Sequence, residues 1–206
     1  MNWKENMRRI VLDLAVTVDG FIEGPNGEID WCIMEEDAGL DSSFRDFLSG
    51  TDTIFYGRVS YELWGNYTPE ENAGSAMQEI YDSIHSKTKY VFSTTKQEDD
   101  GNAIIISSHI KESVQKIREQ PGKDIWLYGG ARLITTFVNL DLIDVYRLAV
   151  HPVILGSGKP LFQDISQRVN LKLIEARGSQ SGVTLLSYQR LVNDPEHSGG
   201  YRPVLD

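Results

Sequence analysis

The stretch Trp126-Leu127-Tyr128-Gly129-Gly130-Ala131-Arg132-Leu133-Ile134-Thr135-Thr136-Phe137 decides how this chain is read. Apolar residues run into two glycines, and a segment with Leu133, Ile134 and Phe137 at helical spacing follows at once. A strand that ends in glycines and opens a helix suits phosphate. No Cβ stands in the way, and the helix start offers free N–H groups and the positive end of a dipole. The alternative is a tight strand-to-helix turn. A second stretch, Phe55-Tyr56-Gly57-Arg58-Val59-Ser60-Tyr61, repeats the strand–glycine–helix order and adds an arginine, whose planar fork matches phosphate. Arg132 and Lys96 are further candidate cations; the alternative for each is a solvated surface charge. The G-x-G-x-x-G fingerprint does not occur, so an ordinary Rossmann dinucleotide site is not supported.

Working outward, residues 10–16 form an apolar run interrupted by Asp13, which reads as a central strand. Residues 17–30 read as a long loop rich in Gly, Pro and Asn, and long loops inside compact domains tend to be functional. Residues 41–48 predict a helix with Phe44, Phe47 and Leu48 on one face, and residues 53–56 a short buried strand. Tyr61 and Trp64 mark a short helix, and residues 72–86 a longer one. Strands are expected at 90–92 and 103–106, with a helix through Ile110, Val114 and Ile117. Residues 145–155 predict a strand in which Pro152 signals an edge, a bulge or the end. Residues 171–176 and 183–191 flank a Gly/Ser turn as a hairpin-like pair. Strands alternating with helices, then a closing hairpin, predict an α/β fold with a mostly parallel sheet and an antiparallel edge. No repeat or linker divides the chain. It reads as one domain over residues 1–206, with a core at about 8–191 and a polar tail at 192–206.

The 206 residues suffice for a full core. A formal net charge of -10 argues against nucleic acid or a membrane surface as partner, while leaving room for an anionic small molecule held by a few local cations. The single cysteine, Cys32, excludes an internal disulfide framework and a cysteine-rich zinc site. No apolar signal core opens the chain, and no apolar run approaches the ~20 residues of a membrane span. The cytoplasm is the expected compartment.

Among the remaining polar residues, Ser93 and Thr94 follow a strand and suit either a ribose phosphate or a turn. Asp19-Gly20 is a turn signal, or part of a loop that closes over a ligand. The acidic run Asp30, Glu35, Glu36, Asp37, Asp41 reads mainly as a solvated face. Asp41 is its best single candidate for chemistry, with a helix N-cap as the alternative. No Gly-x-Ser-x-Gly elbow occurs, and Cys32 beside Trp31 reads as a small buried hydrophobe. His85, His109, His151 and His197 lack metal-ligand spacing, so no metal site is expected; His151 reads as a core histidine.

Four segments then carry a family resemblance. They are Thr17-Val18-Asp19-Gly20-Phe21-Ile22, Asp52-Thr53-Ile54-Phe55-Tyr56-Gly57-Arg58-Val59-Ser60-Tyr61-Glu62, Trp126-Leu127-Tyr128-Gly129-Gly130-Ala131, and His151-Pro152-Val153-Ile154-Leu155-Gly156-Ser157-Gly158-Lys159-Pro160-Leu161-Phe162. In this order they resemble the dihydrofolate reductase-like superfamily. The likeness is strongest to its branch containing the reductase (C-terminal) domain of the bifunctional riboflavin-biosynthesis deaminase-reductase. The resemblance implies a three-layer α/β sandwich around an eight-stranded sheet, mostly parallel with an antiparallel C-terminal hairpin. It also implies NADPH as hydride donor and a homodimer. By resemblance, Gly57, Arg58 and Ser60 face the cofactor phosphates, and Ser93 and Thr94 lie near the adenine ribose. Gly129, Gly130, Ala131 and Arg132 form the pyrophosphate turn, where the family has a cis Gly-Gly bond. Thr17, Asp19 and Gly20 belong to a mobile loop by the nicotinamide.

The implied activity is NADPH-dependent hydride transfer to a pteridine-, pyrimidine- or ribosylamine-like small molecule. This acceptor is expected to stack near Trp31, Phe44 and Phe162, with Asp41 orienting it or steering a proton; Asp37 or Glu36 are alternatives for that carboxylate. Neither a His-x-Glu nor a Pro-Cys-x-x-Cys motif occurs, so no deaminase half is expected. Two other readings stand beside this one: a non-catalytic NADPH-binding protein of the same fold, and a structural homodimer module whose Gly-Gly is only a turn.

Overall fold

Strand β1 (Ile10–Thr17) lies near the middle of the molecule because both its faces are covered by apolar residues. The computed structural model describes residues 7–32, 38–70, 74–95 and 102–191, with backbone only for 38–41. Within them the elements run β1, β2 (Phe21–Glu23), α1 (Ala38–Ser49), β3 (Thr51–Gly57), α2 (Arg58–Ser60), a π-helical turn (Tyr61–Gly65), α3 (Ser75–His85), β4 (Thr88–Phe92), β5 (Ile104–Ile106), α4 (Ile110–Arg118), β6 (Asp124–Gly129), α5 (Ala131–Asn139), β7 (Val145–His151), β8 (Lys159–Pro160), β9 (Leu171–Gly178) and β10 (Thr184–Arg190).

The main sheet has eight strands in the order β5-β4-β3-β6-β1-β7-β10-β9. Its first six strands are parallel, and β10 and β9 close it in antiparallel fashion. The expected α/β architecture with a C-terminal hairpin is therefore the observed one. Parallel strands need crossover helices that cover both faces. One face packs on α4 and α5 through Leu12, Phe55, Leu127, Ile134 and Phe137. The other packs on α1 and α3 through Phe47, Leu48, Ile84, Ile54 and Trp126. Phe137, fully buried, meets Phe55 and Phe92 edge-on at 5.8 and 5.3 Å between centroids.

Three details depart from the sequence expectations. The strand expected over 145–155 ends at His151, because Pro152 has no N–H to continue the ladder. The long loop at 17–30 contains β2, which pairs with β8 in a small antiparallel ribbon. Each strand is only two or three residues long, too short for periodicity to register. The short helix at Tyr61 and Trp64 is a π-helical turn continuing α2. The tail from 192 and Lys96 lie outside the described residues.

The two rims of the sheet differ in chemistry. At the amino ends, Arg8 forms an ion pair with Asp52 and donates to Thr53 Oγ1 at 2.6 Å. Nearby, Lys87 Nζ donates to the carbonyls of Leu48 and Thr51 at 2.6 and 2.8 Å, tying α1 to β3. These cations are already satisfied by the protein. At the carboxyl ends β3 and β6 finish instead in Gly57 and Gly129 and β1 in Thr17, and Ser93 follows β4.

Candidate active site

Adjacent strands β3 and β6 end in Gly57 and Gly129, and Tyr56 is the register partner of Gly129. The peptide bond between Gly129 and Gly130 is cis, and Gly129 has φ +120°. The two bends are packed together. A Cβ on Gly57 would stand 3.3 Å from the Gly130 nitrogen, and a Cβ on Gly130 would stand 3.0 Å from Ser60 Oγ. Both bends are thus tight where a side chain would begin, and they share one rim.

Gly57 and Gly130 occupy the N-cap positions of α2 and α5, and neither helix start carries a side-chain cap bond. The N–H groups that open α5 are left to solvent or to a ligand. Arg58 stands at this rim with 41% of its side chain exposed, in an ion pair with Glu62 at 2.6 Å. Arg132 is exposed in the first turn of α5. Ser93 and Thr94 follow β4, whose Phe92 pairs with Gly57, so they lie one strand further along the same rim. Ala131 opens α5. Glycines that a Cβ would crowd, uncapped N–H groups and two arginines fit the phosphates of a dinucleotide.

On the other side of β6 lies the end of β1. Thr17 is buried, and its hydroxyl donates to Asp19 Oδ1 at 2.6 Å. Asp19 also accepts from the backbone N–H groups of Gly156 at 2.7 Å and Leu155 at 3.3 Å. These bonds, the Thr17 hydroxyl first, hold the Asp19 carboxyl below its ordinary value. Gly20 turns at φ +85°, and its carbonyl accepts from Leu161 N. The loop after β1 is thereby clasped to the loop after β7, with Asp19 engaged by backbone.

The face that packs on α1 shapes the space beneath this rim. The β1–β7 register puts Asp13 beside Arg147, Ala15 beside Ala149 and Thr17 beside His151. Ala15 and Ala149 are half-exposed although both lie on interior strands of the sheet. Arg147 Nε donates to Asp13 Oδ1 at 2.8 Å. Burial raises the Asp13 carboxyl, and the nearby Arg147 charge opposes this. His151 is buried, with Nε2 3.8 Å from Cys32 Sγ and its ring edge-on to Trp31 at 5.4 Å. Burial pushes the His151 imidazole down and the Cys32 thiol up, favouring the uncharged form of each.

Of the expected acceptor contacts, Trp31 and Phe44 lie on this face; Phe44 packs on Phe47 and Trp126. Phe162 does not join them. Its ring lies 6.2 Å from Tyr146, which belongs to the core of the opposite face. Asp41 sits in the first turns of α1, but its side chain lies outside the described residues, as do Glu36 and Asp37. Among the described residues no group of three or more His, Cys, Asp or Glu could hold a metal ion, and no helix is long and apolar enough to cross a membrane. Sequence reading missed Arg147, and it treated Asp13 only as an interruption. A charged residue inside each of two apolar runs was the available signal.

This sheet order, with a glycine pair and a glycine–arginine bend at neighbouring carboxyl ends, defines a dihydrofolate reductase-like α/β domain. The chain belongs to the RibD C-terminal domain family, whose model matches residues 8–185. It is 57% identical over 181 residues to the uncharacterized protein YyaP of Bacillus subtilis (strain 168), covering 88% of this chain and 94% of that one. Its fold resembles a putative riboflavin biosynthesis protein from Shewanella sp. PV-4, with TM-score 0.74 and 20% identity over 90% of this chain and all (100%) of the other. It also resembles dihydrofolate reductase from Enterococcus faecalis complexed with NADP(H), with TM-score 0.60 and 16% identity over 90% of this chain and 97% of that one.

Proposed function

We propose that this protein is an NADPH-dependent reductase of the riboflavin-pathway type, acting on a pteridine-, pyrimidine- or ribosylamine-like small molecule. The observation that carries the reading is the contact between the Gly57 and Gly129–Gly130 bends on one rim of the sheet. Membership of the RibD C-terminal domain family supports a reductase, and the Enterococcus structure shows the same fold holding NADP(H).

In this reading the amide groups opening α5, with Arg58 and Ser60, bind the phosphates, and Ser93 and Thr94 face the ribose. The cofactor supplies the hydride when bound. The protein orients the acceptor over Ala15 and Ala149, and Trp31 flanks the space and limits water. Asp41 remains the proposed carboxylate for orienting the acceptor. Titration with NADPH, followed by nicotinamide fluorescence and calorimetry, tests binding. Loss of nicotinamide absorbance with dihydrofolate or a ribosylaminopyrimidine tests turnover. No heat of association at millimolar NADPH removes the proposal.

A homodimer in the cytoplasm belongs to the same reading. Among the described residues β9 has no strand on its outer edge, and it exposes Leu171, Leu173 and Ile174. Such an edge is an aggregation hazard unless covered, and a second copy is the cover proposed here. Sedimentation equilibrium on the wild type and on Leu173→Lys checks this; a monomeric wild type at micromolar concentration refutes it.

A further inference from the structure

Arg58 follows Gly57 directly and opens α2 at the paired glycine bends, yet its charge is already answered. Its Nη1 donates to Glu62 Oε2 at 2.6 Å, and the two side chains are 41% and 45% exposed. Among the described residues its Nε and Nη2 have no hydrogen-bond partner. Glu62 thus takes one corner of the guanidinium and leaves the Nε–Nη2 edge, which can grip an oxyanion with two parallel bonds. A half-exposed pair four residues apart contributes only a few tenths of a kcal/mol to folding, so stability is a weak reason for it.

The fold fixes where Glu62 stands. It lies in the π-helical turn Tyr61–Gly65, which continues α2. Turns of this kind are rare and gather at functional sites. Tyr61 anchors the turn: it is 2% exposed, and its ring meets Tyr56 at 5.7 Å between centroids. A Cβ on Gly65 would collide with the Tyr61 ring, so this glycine lets the turn close over its anchor. Glu62 comes directly after the buried anchor and is bonded to the residue that follows Gly57. The carboxylate is therefore held beside the bends.

We propose that Glu62 is a specificity-determining residue that holds down the preference for a dinucleotide with a phosphorylated ribose over one without. The inference rests on the reductase reading, which brings a dinucleotide to the Gly57 and Gly129–Gly130 bends and its additional phosphate to Arg58. NADPH and NADH share the diphosphate, so the bends bind that part of both alike. Only the additional phosphate of NADPH reaches Arg58. It gains the Nε–Nη2 edge and at the same time enters the field of a carboxylate fixed on the same guanidinium. Like charges a few ångströms apart at a wet surface repel modestly, and salt screens the repulsion. Glu62 therefore weakens the phosphorylated cofactor and leaves the unphosphorylated one untouched. A glutamine at this position keeps an acceptor for Arg58 Nη1 and removes the charge.

Calorimetric titration of the wild type and Glu62→Gln with NADPH and with NADH, at about 50 mM and about 0.5 M salt, tests this. Glu62→Gln should tighten NADPH about fivefold at the lower salt and leave NADH within about twofold. The gain should shrink below about twofold at the higher salt. The melting temperature should move by less than about 2 °C, as expected for an exposed pair. Unchanged or weakened NADPH affinity in Glu62→Gln overturns the proposal. Equal tightening of both cofactors overturns it too, as does a gain indifferent to salt, since an altered shape of the turn would produce either. A wild type that binds no NADPH sinks the reductase reading and takes this inference with it. A wild type that binds NADPH, with a variant whose NADPH-to-NADH ratio does not move, removes the role of Glu62 alone.

Discussion

Gly57 and Gly130 meet across the carboxyl ends of two neighbouring parallel strands, so closely that a Cβ on Gly57 would lie 3.3 Å from the Gly130 nitrogen. Two bends that are 73 residues apart in the chain thus form one surface, with Ser60 packed against it. Gly57 has φ -74° and ψ 152°, a conformation any residue adopts, so a side chain there is opposed by tight spacing and not by backbone geometry.

Gly57→Ala is therefore expected to fold and to lose cofactor affinity. The added methyl presses on the Gly129–Gly130 bend and on Leu133, and so shifts the paired bends that the proposed phosphate site is built from. We expect NADPH affinity to fall at least about tenfold, with unfolding free energy changed by less than about 1 kcal/mol. Calorimetry and urea unfolding on the same preparation check both halves.

Arg58 is half-exposed and already paired with Glu62, so its stability contribution is small. Its expected value is in binding. Arg58→Gln should weaken NADPH about tenfold and NADH by no more than about twofold. Equal weakening of the two cofactors would remove the role of Arg58 at the additional phosphate.

The Asp19 clasp is predicted to be acid-sensitive. Its carboxyl is held below the ordinary value of 3.8 by the Thr17 hydroxyl and the Gly156 and Leu155 amides. A group whose value is depressed in the fold stabilises above its unfolded value, and that contribution is lost as the pH falls through the folded value. The clasp should be whole at neutral pH, stay closed down through the ordinary carboxylate value, and open only at a pH below it. Hydrogen exchange at the Gly156 amide should be slow at neutral pH and faster in Asp19→Asn at the same pH. Identical exchange in both proteins would show that the loops are held by other contacts.

Phe137 anchors α5, and with it the Gly129–Gly130 bend, to the sheet. Its ring is fully buried against Phe55 and Phe92. Phe137→Ala should cost about 3–5 kcal/mol of unfolding free energy. NADPH should raise the melting temperature of the variant, because a ligand that binds only the folded state stabilises it by mass action.

Much of this was written along the chain. The glycine–arginine bend and the glycine pair each follow a strand and open a helix, and the closing hairpin announces itself by alternation and a Gly/Ser turn. Such signals survive because hydrogen-bond periodicity and the steric freedom of glycine act over a few neighbouring residues. The ribbon of β2 and β8 was not legible: each strand is two or three residues long, and their pairing spans more than 130 positions. Phe162 was expected beside Trp31 and Phe44, but the turn after β8 delivers it to the opposite face.

The deepest divide concerns Asp13 and Arg147. Local order in the sequence settled which segments are strands, which are helices, and which bends lack side chains. Only the fold decided that β1 lies between β6 and β7, and that an aspartate and an arginine 134 residues apart stand beside each other under the rim. Strand order is chosen by the global packing of apolar faces. A one-residue change of register would turn Arg147 away from Asp13 to the other side of the sheet, and no local pattern encodes that choice.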